Sequence, residues 1–237
     1  MADVGDNINA ERGAWTFSGD VYATFDQHVR RSVPFYETGH DLICKLSDFF
    51  MTNNSICYDL GASTGALTIK LANHNAHKTG TRFVGIDIEE KMVAEAKRKS
   101  QGLSNVEFTV NDVLLHEYEP ADLIVAYYTV QFMHPSLRQN IFDLVYEKLK
   151  WGGAFIMFDK VRGPDARFQD ILTGLYTDYK IEQGFDISEI VSKSKSLRGV
   201  LEPFSTQGNL DLLKRAGFVD YMTIMKYVCF EGFVAIK

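Results

Sequence analysis

Short apolar segments alternate with amphipathic helical segments between residues 55 and 158, and this alternation constrains the fold more than any other feature. Strands that alternate with helices form a parallel sheet joined by right-handed crossovers. The pattern therefore predicts a parallel α/β sheet, with helices over 64–73 and 89–99 and a third helix that Pro135 opens and Gly152-Gly153 ends. The predicted strands are 56–60, 82–86, 106–110, 123–127 and 154–158.

The alternation stops after the fifth strand, and three helical segments follow it. Residues 164–179 carry apolar side chains on one stripe, 187–201 are more polar, and 205–216 form a further amphipathic segment. Two strands, 221–228 and 232–237, then close the chain with a short turn between them. Strands joined by so short a turn pair antiparallel, so we expect a mostly parallel sheet that ends in an antiparallel hairpin.

The N-terminal segment lacks the strand pattern and is rich in aromatic and helical signals. Apolar residues at helical spacing predict an amphipathic helix over 36–50. A chain of 237 residues corresponds to fewer than two average domains. We predict a helical N-terminal cover over 1–50 and one α/β domain over 51–237, with a helical insertion at 161–204.

A glycine-containing loop connects the first predicted strand to the first predicted helix. Gly61 allows a tight turn and close approach of the backbone to a ligand, and Gly65 allows the helix to pack closely on the strand. The loop is neither the dinucleotide fingerprint nor a phosphate loop, because its glycine spacing differs and no Gly-Lys-Ser/Thr follows. Such a loop suits a ligand without a pyrophosphate, and Asp59 before it is placed to meet a cationic amino group.

Acidic side chains follow the next two strands as well. Asp87 lies at the end of the second strand, near the spacing at which an acid binds ribose hydroxyls, and Asp112 follows the third strand. Open α/β sheets bind ligands at the carboxyl ends of parallel strands, so three acids there indicate ligand binding. Asp112 has an alternative role as a helix N-cap.

These residues resemble the class I S-adenosylmethionine (SAM)-dependent methyltransferases over about 55–237. The resemblance implies a Rossmann-like fold with SAM as cofactor. Gly61 and Gly65 would flank the methionyl part, Asp87 would hold the ribose, Met92 or Ile88 would flank the adenine, and Asp112 would hold its edge. The cofactor-binding residues expected are Tyr36, Asp59, Gly61, Ala62, Ser63, Gly65, Asp87, Ile88, Met92, Asn111, Asp112, Val113 and Tyr127.

Further motifs look like the carboxy-S-adenosylmethionine synthase family, which converts SAM and prephenate into carboxy-SAM for tRNA wobble-uridine modification. This likeness implies a homodimer. The motifs are Trp15-Thr16-Phe17, Arg31-Ser32-Val33-Pro34, Tyr58-Asp59-Leu60-Gly61, Thr129-Val130-Gln131-Phe132 and the closing hairpin.

The chain departs from that family at two places. The family has Lys-Arg-Ser where this chain has Lys193-Ser194-Lys195, and the missing arginine binds the added carboxylate. Serine cannot replace that charge, although a flanking lysine supplies a point charge. The family's Leu-Asn-Phe-Thr reads Ala-Tyr-Tyr-Thr at 126–129. We therefore predict methyl transfer to a small-molecule acceptor, with carboxy-SAM synthesis as the alternative.

Direct displacement at the methyl carbon of SAM requires in-line placement and water exclusion, and no metal site is predicted. A general base helps where the acceptor is protonated. The candidates for a catalytic role are His28, Tyr128, His134 and Tyr176. His134 has an alternative role beside Pro135 at the start of a helix.

Composition limits the partners. The net charge is −6, and the fourth strand lacks the Asn/Asp-Pro-Pro-aromatic motif, so direct nucleic-acid binding is not expected. The chain shows no apolar run long enough for a membrane span, and its polar start predicts no secretory signal.

Three scattered cysteines, Cys44, Cys57 and Cys229, predict reduced thiols in the cytoplasm. A tRNA or protein methyltransferase and a non-catalytic SAM-binding module remain as further alternatives.

Overall fold

The computed structural model describes residue 22 and residues 24–237, which form a seven-stranded mixed sheet. The strand order is β3-β2-β1-β4-β5-β7-β6, and β7 alone runs in the direction opposite to the other six strands. Trp15 and Phe17, which carry part of the family resemblance, lie outside the described residues. The strands are β1 (Ile56–Leu60), β2 (Arg82–Asp87), β3 (Val106–Val110), β4 (Ala121–Tyr127), β5 (Leu149–Lys160), β6 (Asp220–Tyr227) and β7 (Phe230–Ile236).

Helices cover both faces of this sheet, and every described helix except the first begins within a few residues of its predicted position. The first, Phe25–Ser32, lies in the N-terminal cover, for which no separate helix bounds were predicted. Asp186 starts α7 with a capping box, in which its side chain accepts from the helix backbone and the Glu189 side chain accepts from the Asp186 N–H. The helices are α1 (Phe25–Ser32), α2 (Tyr36–Phe50), α3 (Ala66–His74), α4 (Glu90–Lys99), α5 (Arg138–Lys148), α6 (Ala166–Glu182), α7 (Ile187–Ser196) and α8 (Thr206–Ala216).

The prediction that Gly152-Gly153 ends a helix is wrong. Helix α5 ends at Lys148, and β5 begins at the next residue and contains both glycines. The Gly152 N–H donates to the Lys237 carbonyl at 2.7 Å, and the Lys237 N–H donates to the Gly153 carbonyl at 3.0 Å. Pairing with the last residue of the chain, 84 positions away, therefore extends the strand through a dipeptide that local preference assigns to a turn.

The core lies in two layers, one on each face of the sheet. Phe142 and Phe155 belong to the layer beneath α5 and α8, where their rings meet edge to face at 5.5 Å. Ile43, Leu71 and Phe83 belong to the layer beneath α2 and α3 and are fully buried. Apolar burial on both faces explains why the central strands read as near-continuous hydrophobic runs.

Helix α6 contains no fully buried residue, although the sequence pattern predicts one apolar stripe along it. Leu172 and Tyr176 face inward, whereas Phe168, Ile171 and Leu175 are each about half exposed. The division into cover, domain and insertion stays a prediction. Over the described part of the chain, no helix is both long and apolar enough to cross a membrane.

Candidate active site

A cavity of about 700 Å³ opens at the carboxyl ends of the parallel strands, beneath α1, α6 and α7. Twelve of the thirteen predicted cofactor-binding residues line it, and so do His28, Tyr128 and Tyr176. Gly65 and His134 do not line it. The twelve are Tyr36, Asp59, Gly61, Ala62, Ser63, Asp87, Ile88, Met92, Asn111, Asp112, Val113 and Tyr127.

The loop after β1 is a tight turn held against the neighbouring strands. The Gly61 and Ala62 N–H groups donate to the Ile86 carbonyl at 2.8 and 3.0 Å. Gly61 has φ +73°, and a Cβ on it would lie 2.5 Å from two side-chain atoms of Thr129. The Thr129 hydroxyl itself donates to the Leu60 carbonyl at 2.7 Å. Only glycine fits this position without displacing Thr129.

Gly65 does not line the cavity, and its lack of a side chain allows close packing against Phe108 and Ala96. A Cβ there would lie 2.5 Å from the Phe108 ring and 2.9 Å from the Ala96 methyl group. The residue also has φ +78° and forms the N-cap of α3. The structure therefore supports the packing role predicted for Gly65 and places it outside the ligand cavity.

Asp87 is the acid at the end of β2, and it fixes the glycine loop. Its Oδ2 accepts from the Ser63 N–H at 2.7 Å, and its Oδ1 accepts from the Glu89 N–H at 2.9 Å. Burial raises the pKa of this carboxyl. Each carboxylate oxygen accepts more than one hydrogen bond, so both oxygens can still receive ribose hydroxyls.

Asp59 is a buried carboxyl with no cationic partner among the described residues. Its Oδ2 accepts from the Thr68 hydroxyl at 2.6 Å. Burial raises the pKa of Asp59 to about 6, and the negative charge of Asp87 adds to this rise. A carboxylate that is buried without a counter-charge gains most from a cationic ligand. The site therefore suits a ligand with a protonated amino group.

Asp112 caps a turn and not a helix, because no helix begins between Asp112 and β4, so its predicted alternative role as a helix N-cap is wrong. Its Oδ1 accepts from the Leu114 N–H at 2.8 Å, and its carbonyl accepts from the N–H groups of Leu115 and His116. The same residue lines the cavity beside Asn111 and Val113. This turn holds the side chain at the cavity wall, and the contact is compatible with the predicted contact to the adenine.

His28 and Tyr176 are joined through Ser32 on one wall of the cavity. The Tyr176 hydroxyl donates to the Ser32 carbonyl at 2.9 Å, and the Ser32 hydroxyl contacts His28 Nε2 at 3.0 Å. The Lys193 ammonium also contacts His28 Nε2. Burial lowers the pKa of His28 to about 3, with further lowering by Lys193 and Lys180. His28 is therefore neutral at pH 7 and a weak base.

Tyr128 is held in a strained backbone conformation at the end of β4. Its φ is +60°, and its N–H donates to the Phe158 carbonyl at 2.7 Å. Its hydroxyl is buried and has no hydrogen-bond partner among the residues that the structure describes. Burial raises the pKa of Tyr128, so it is a neutral phenol. Buried hydroxyls normally have a partner, so this position suits a polar group of a ligand in the cavity.

His134 lies on the outer surface, away from the cavity. Its Nδ1 contacts the Ser136 hydroxyl at 2.7 Å and accepts from the Ser136 N–H, as an N-cap does. The structure thus places His134 in its alternative role and does not bring it to the other candidates. No group of His, Cys, Asp and Glu with metal-ligand geometry occurs among the described residues.

Sequence reasoning missed two lysines that line the cavity, Lys160 and Lys180. Lys160 is the last residue of β5, and Lys180 lies in the last turn of α6. The position of Lys160 after a parallel strand was the available signal. Of the residues at the carboxylate-binding motif of the synthase family, Lys193 and Ser194 line the cavity and Lys195 does not.

Comparison with known proteins identifies the family. A methyltransferase domain profile matches residues 52–217. The carboxy-S-adenosyl-L-methionine synthase of Staphylococcus epidermidis is 34% identical over 224 residues, which is 94% of this chain and 97% of that protein. This chain belongs to the SAM-dependent methyltransferases.

Solved methyltransferases share its fold at low sequence identity. An O-methyltransferase family protein from Burkholderia thailandensis superposes with a TM-score of 0.66 at 13% identity, over 91% of this chain and 59% of that one. Human N-acetylserotonin methyltransferase in complex with SAM gives 0.57 at 14% identity, over 97% of this chain and 63% of that one. The sheet with its C-terminal hairpin is therefore the Rossmann-like methyltransferase fold.

The residues of this methyltransferase fit its cofactor. Asp59 offers an unpaired buried carboxylate for the amino group of SAM, and Asp87 offers acceptors for the ribose. The Met92 sulfur accepts a hydrogen bond from the Ser63 hydroxyl at 3.5 Å, and the buried Met92 side chain forms an apolar part of the cavity wall. The Ile88 side chain also lines the cavity but is exposed. The cavity volume of about 700 Å³ lies within the range of about 300–1,000 Å³ that is usual for small-molecule sites.

Proposed function

We propose that this methyltransferase transfers the methyl group of SAM to a small-molecule acceptor. The observation that carries the proposal is the continuous cavity of about 700 Å³, which extends from the acids at the ends of β1 and β2 to α6 and α7. Cavities of about 300–1,000 Å³ hold small molecules. A cover formed by three helices leaves little access for a folded RNA or protein.

The chain contributes orientation and water exclusion more than acid–base chemistry. SAM, when bound, supplies a methyl group on a positively charged sulfur, which is already an activated leaving group. The Tyr36, Tyr127 and Tyr128 rings form a cluster, with centroid distances of 4.7–6.4 Å, that limits water on one side of the cavity. His28 is a weak base, and burial raises the pKa values of Tyr128 and Tyr176, which stay protonated. An acceptor that reacts as an anion or a free lone pair suits these residues best.

Methyl-labelled SAM tests the proposal. The protein is incubated with labelled SAM and either the small-molecule fraction or the RNA fraction of a cell extract, and the label is followed by mass spectrometry. We expect label in a small metabolite and formation of S-adenosylhomocysteine. Asp87→Ala serves as the control because it loses the ribose contact. Label found only in RNA would contradict the proposal.

A second candidate function is carboxy-SAM synthesis. It is favoured by the 34% identity with a protein of that name over nearly the full length of both chains. Ser194 lacks the arginine charge of that family, and Lys193 lies beside it on the cavity wall. Mass spectrometry of the nucleoside released from the purified, denatured protein separates the two: recovered carboxy-SAM supports synthesis, and recovered SAM or S-adenosylhomocysteine alone supports methyl transfer.

We further propose that the protein is a cytoplasmic homodimer, as the synthase resemblance and the scattered cysteines imply. The half-exposed side chains of Phe168, Ile171 and Leu175 on α6 support the dimer, because a row of large apolar side chains on one helix face is a common contact surface. Cys44, Cys57 and Cys229 are all buried free thiols, which accords with a reducing compartment.

A further inference from the structure

Helix α1 covers part of the cavity and turns one face toward it. The residues of α1 that line the cavity recur at helical spacing: Phe25, His28, Val29 and Ser32. Ser32 is the one fully buried residue of this helix, and α1 contributes none of its residues to the hydrophobic clusters that pack the described sheet. Elements with little core packing open at a lower cost in free energy than the rest of a fold.

The side chain of Asp26 attaches the N-terminal end of α1 to two other elements. Its Oδ1 accepts from the Thr64 hydroxyl at 2.6 Å, and its Oδ2 accepts from the Lys99 ammonium at 2.6 Å. Thr64 belongs to the loop after β1 and lines the cavity, whereas Lys99 is the last residue of α4. Asp26 does not line the cavity itself. One carboxylate thus connects the covering helix to the loop that we propose for SAM binding.

The pair formed by Asp26 and Lys99 is charged and remains partly accessible to water. Burial alone would raise the pKa of Asp26, but the Lys99 ammonium and the Thr64 hydroxyl lower that pKa below its ordinary value. Asp26 is therefore ionised at neutral pH, and charge-assisted hydrogen bonds are stronger than neutral ones. The Asp26 and Lys99 side chains are 28% and 26% exposed. Water can therefore solvate both charges when the pair separates, so the contact can open and close again.

The C-terminal end of α1 is attached to the connection between α6 and α7. The Arg31 Nη2 donates to the Gln183 carbonyl at 2.6 Å, and the guanidinium lies 4.7 Å from the centre of the Phe185 ring. The hydrogen bond from α6 to the Ser32 carbonyl adds a third contact at this end. Asp26 therefore holds the end of α1 that lies opposite these contacts.

A short connection joins α1 to a helix that is fixed on the sheet. Residues 33–35 separate α1 from α2, and Phe35 has φ +56°. In α2, Ile43 is fully buried, and the carbonyl of Tyr36 accepts from the Tyr127 hydroxyl at 2.6 Å. Hinges consist of a few residues at the ends of elements that absorb changes in φ and ψ. The connection at 33–35 therefore suits a hinge about which the N-terminal end of α1 rotates.

We propose that α1 is a lid over the end of the cavity at β1 and β2, and that Asp26 is its latch. Release of Thr64 and Lys99 by Asp26 lets α1 rotate about residues 33–35 and opens the cavity for the entry of SAM and the exit of S-adenosylhomocysteine. Asp26 is thus a positioning residue, because it acts through α1 and does not touch the ligand. The inference goes beyond the proposed function, since it concerns exchange of the cofactor and holds whichever acceptor is methylated.

The rates of S-adenosylhomocysteine binding and release test the latch, and surface plasmon resonance measures both. Asp26→Asn keeps the shape of the side chain and removes its charge, which weakens the closed state equally in the free and the bound protein. We expect the association and dissociation rate constants both to rise at least fivefold, while Kd changes less than threefold. A faster dissociation with no faster association, or two unchanged rates, would overturn the inference.

Two further variants locate the effect. Lys99→Met removes the other charge of the pair and should raise both rates as Asp26→Asn does, and the two effects should not multiply in the double variant. Glu95→Gln is the matched control, because Glu95 lies 3.8 Å from the Lys99 ammonium and its described contacts stay within α4. It should leave both rates unchanged. Effects that multiply in the double variant, or an equal effect of Glu95→Gln, contradict the latch.

Hydrogen exchange on the ligand-free protein reports on the lid without the cofactor. An isolated helix of eight residues is not stable, so the α1 amides exchange when the lid opens. The amides of residues 28–32 should exchange at least fivefold faster in Asp26→Asn than in the wild type, whereas those of α2 should not change. Equal exchange in α1 would overturn the inference.

The two measurements separate the lid from the proposed function. Failure of the wild-type protein to bind S-adenosylhomocysteine would contradict the proposed function, and the exchange comparison would then decide the inference by itself. If Asp26→Asn does not fold, Lys99→Met takes its place in both measurements, with the same expected results.

Discussion

Replacing Asp59 with asparagine removes one charge from the end of the cavity at β1 and β2, where we propose that SAM binds, and changes almost nothing in shape. The asparagine side chain would keep an oxygen for the Thr68 hydroxyl, which now donates to Asp59 at 2.6 Å. A hydrogen bond to a charged group contributes about 1.5–3 kcal/mol, which corresponds to a ~10- to 100-fold loss of SAM affinity at pH 7. Calorimetry measures the loss, and 5′-methylthioadenosine, which lacks the amino acid part, is expected to bind both proteins equally.

The pH dependence of binding provides a second measurement. Burial raises the pKa of Asp59 to about 6, so the carboxylate that we propose as the partner of the amino group is present above about pH 6 and is lost as the pH falls below it. Wild-type affinity for SAM should therefore fall about tenfold for each pH unit below 6, whereas Asp59→Asn should show no such slope. Unchanged SAM affinity in the variant, or the same slope in both proteins, would refute the assignment of Asp59.

The same substitution should stabilise the ligand-free protein. A folded-state pKa above the ordinary value of 3.8 means that ionisation of Asp59 opposes folding, and this cost is present above about pH 6 and disappears as the pH falls toward 4. A shift of this size corresponds to at most roughly 3 kcal/mol at neutral pH. Thermal unfolding at pH 7.5 should give a higher midpoint for Asp59→Asn, and a lower midpoint would show that the ionised carboxylate stabilises the ligand-free protein.

Three other predictions concern the loop, the ribose contact and assembly. Asp87→Ala should weaken SAM binding at least tenfold by calorimetry, and unchanged affinity would exclude the ribose contact. Gly61→Ala places a Cβ 2.5 Å from Thr129 at φ +73° and should lower the free energy of unfolding by about 1–3 kcal/mol, whereas Gly174→Ala, with open space on α6, should not lower it. Leu175→Glu should convert a dimer of twice 26.8 kDa into monomers by light scattering, and a monomeric wild type would contradict the proposed dimer.

The positions of the strands and the edge at which the acidic residues lie follow from local sequence. Residues 106–110 form β3 with the predicted bounds, and β1 also matches its prediction, because each strand is a short apolar run between polar turns. The acids Asp59 and Asp87 could be assigned to one edge because the carboxyl ends of parallel strands always lie together. Each acid directly follows its strand in the sequence, so the local pattern is sufficient to place it at this edge.

The other features depend on contacts between distant parts of the chain. The pairing of Gly152 and Gly153 with Lys237 cannot be predicted from local conformational preference, which assigns the two glycines to a turn. His134 follows the fourth strand as a ligand-binding residue would, yet its own cap interaction turns it outward. Tyr176 reaches the cavity because its hydroxyl contacts Ser32, 144 positions earlier in the chain.

The two ends of the cavity therefore differ in how the sequence encodes them. The end proposed for SAM is formed by loops that directly follow β1, β2 and β3, so its geometry depends on the sheet itself. The opposite end combines the last residue of β5 with a turn of α6, so changes in the helical insertion alter it without affecting SAM binding. The change from arginine to Ser194 lies in this insertion, and so does Lys180. Substitutions in α6 and α7 can therefore change the lining of that end while the loops after β1, β2 and β3 stay the same.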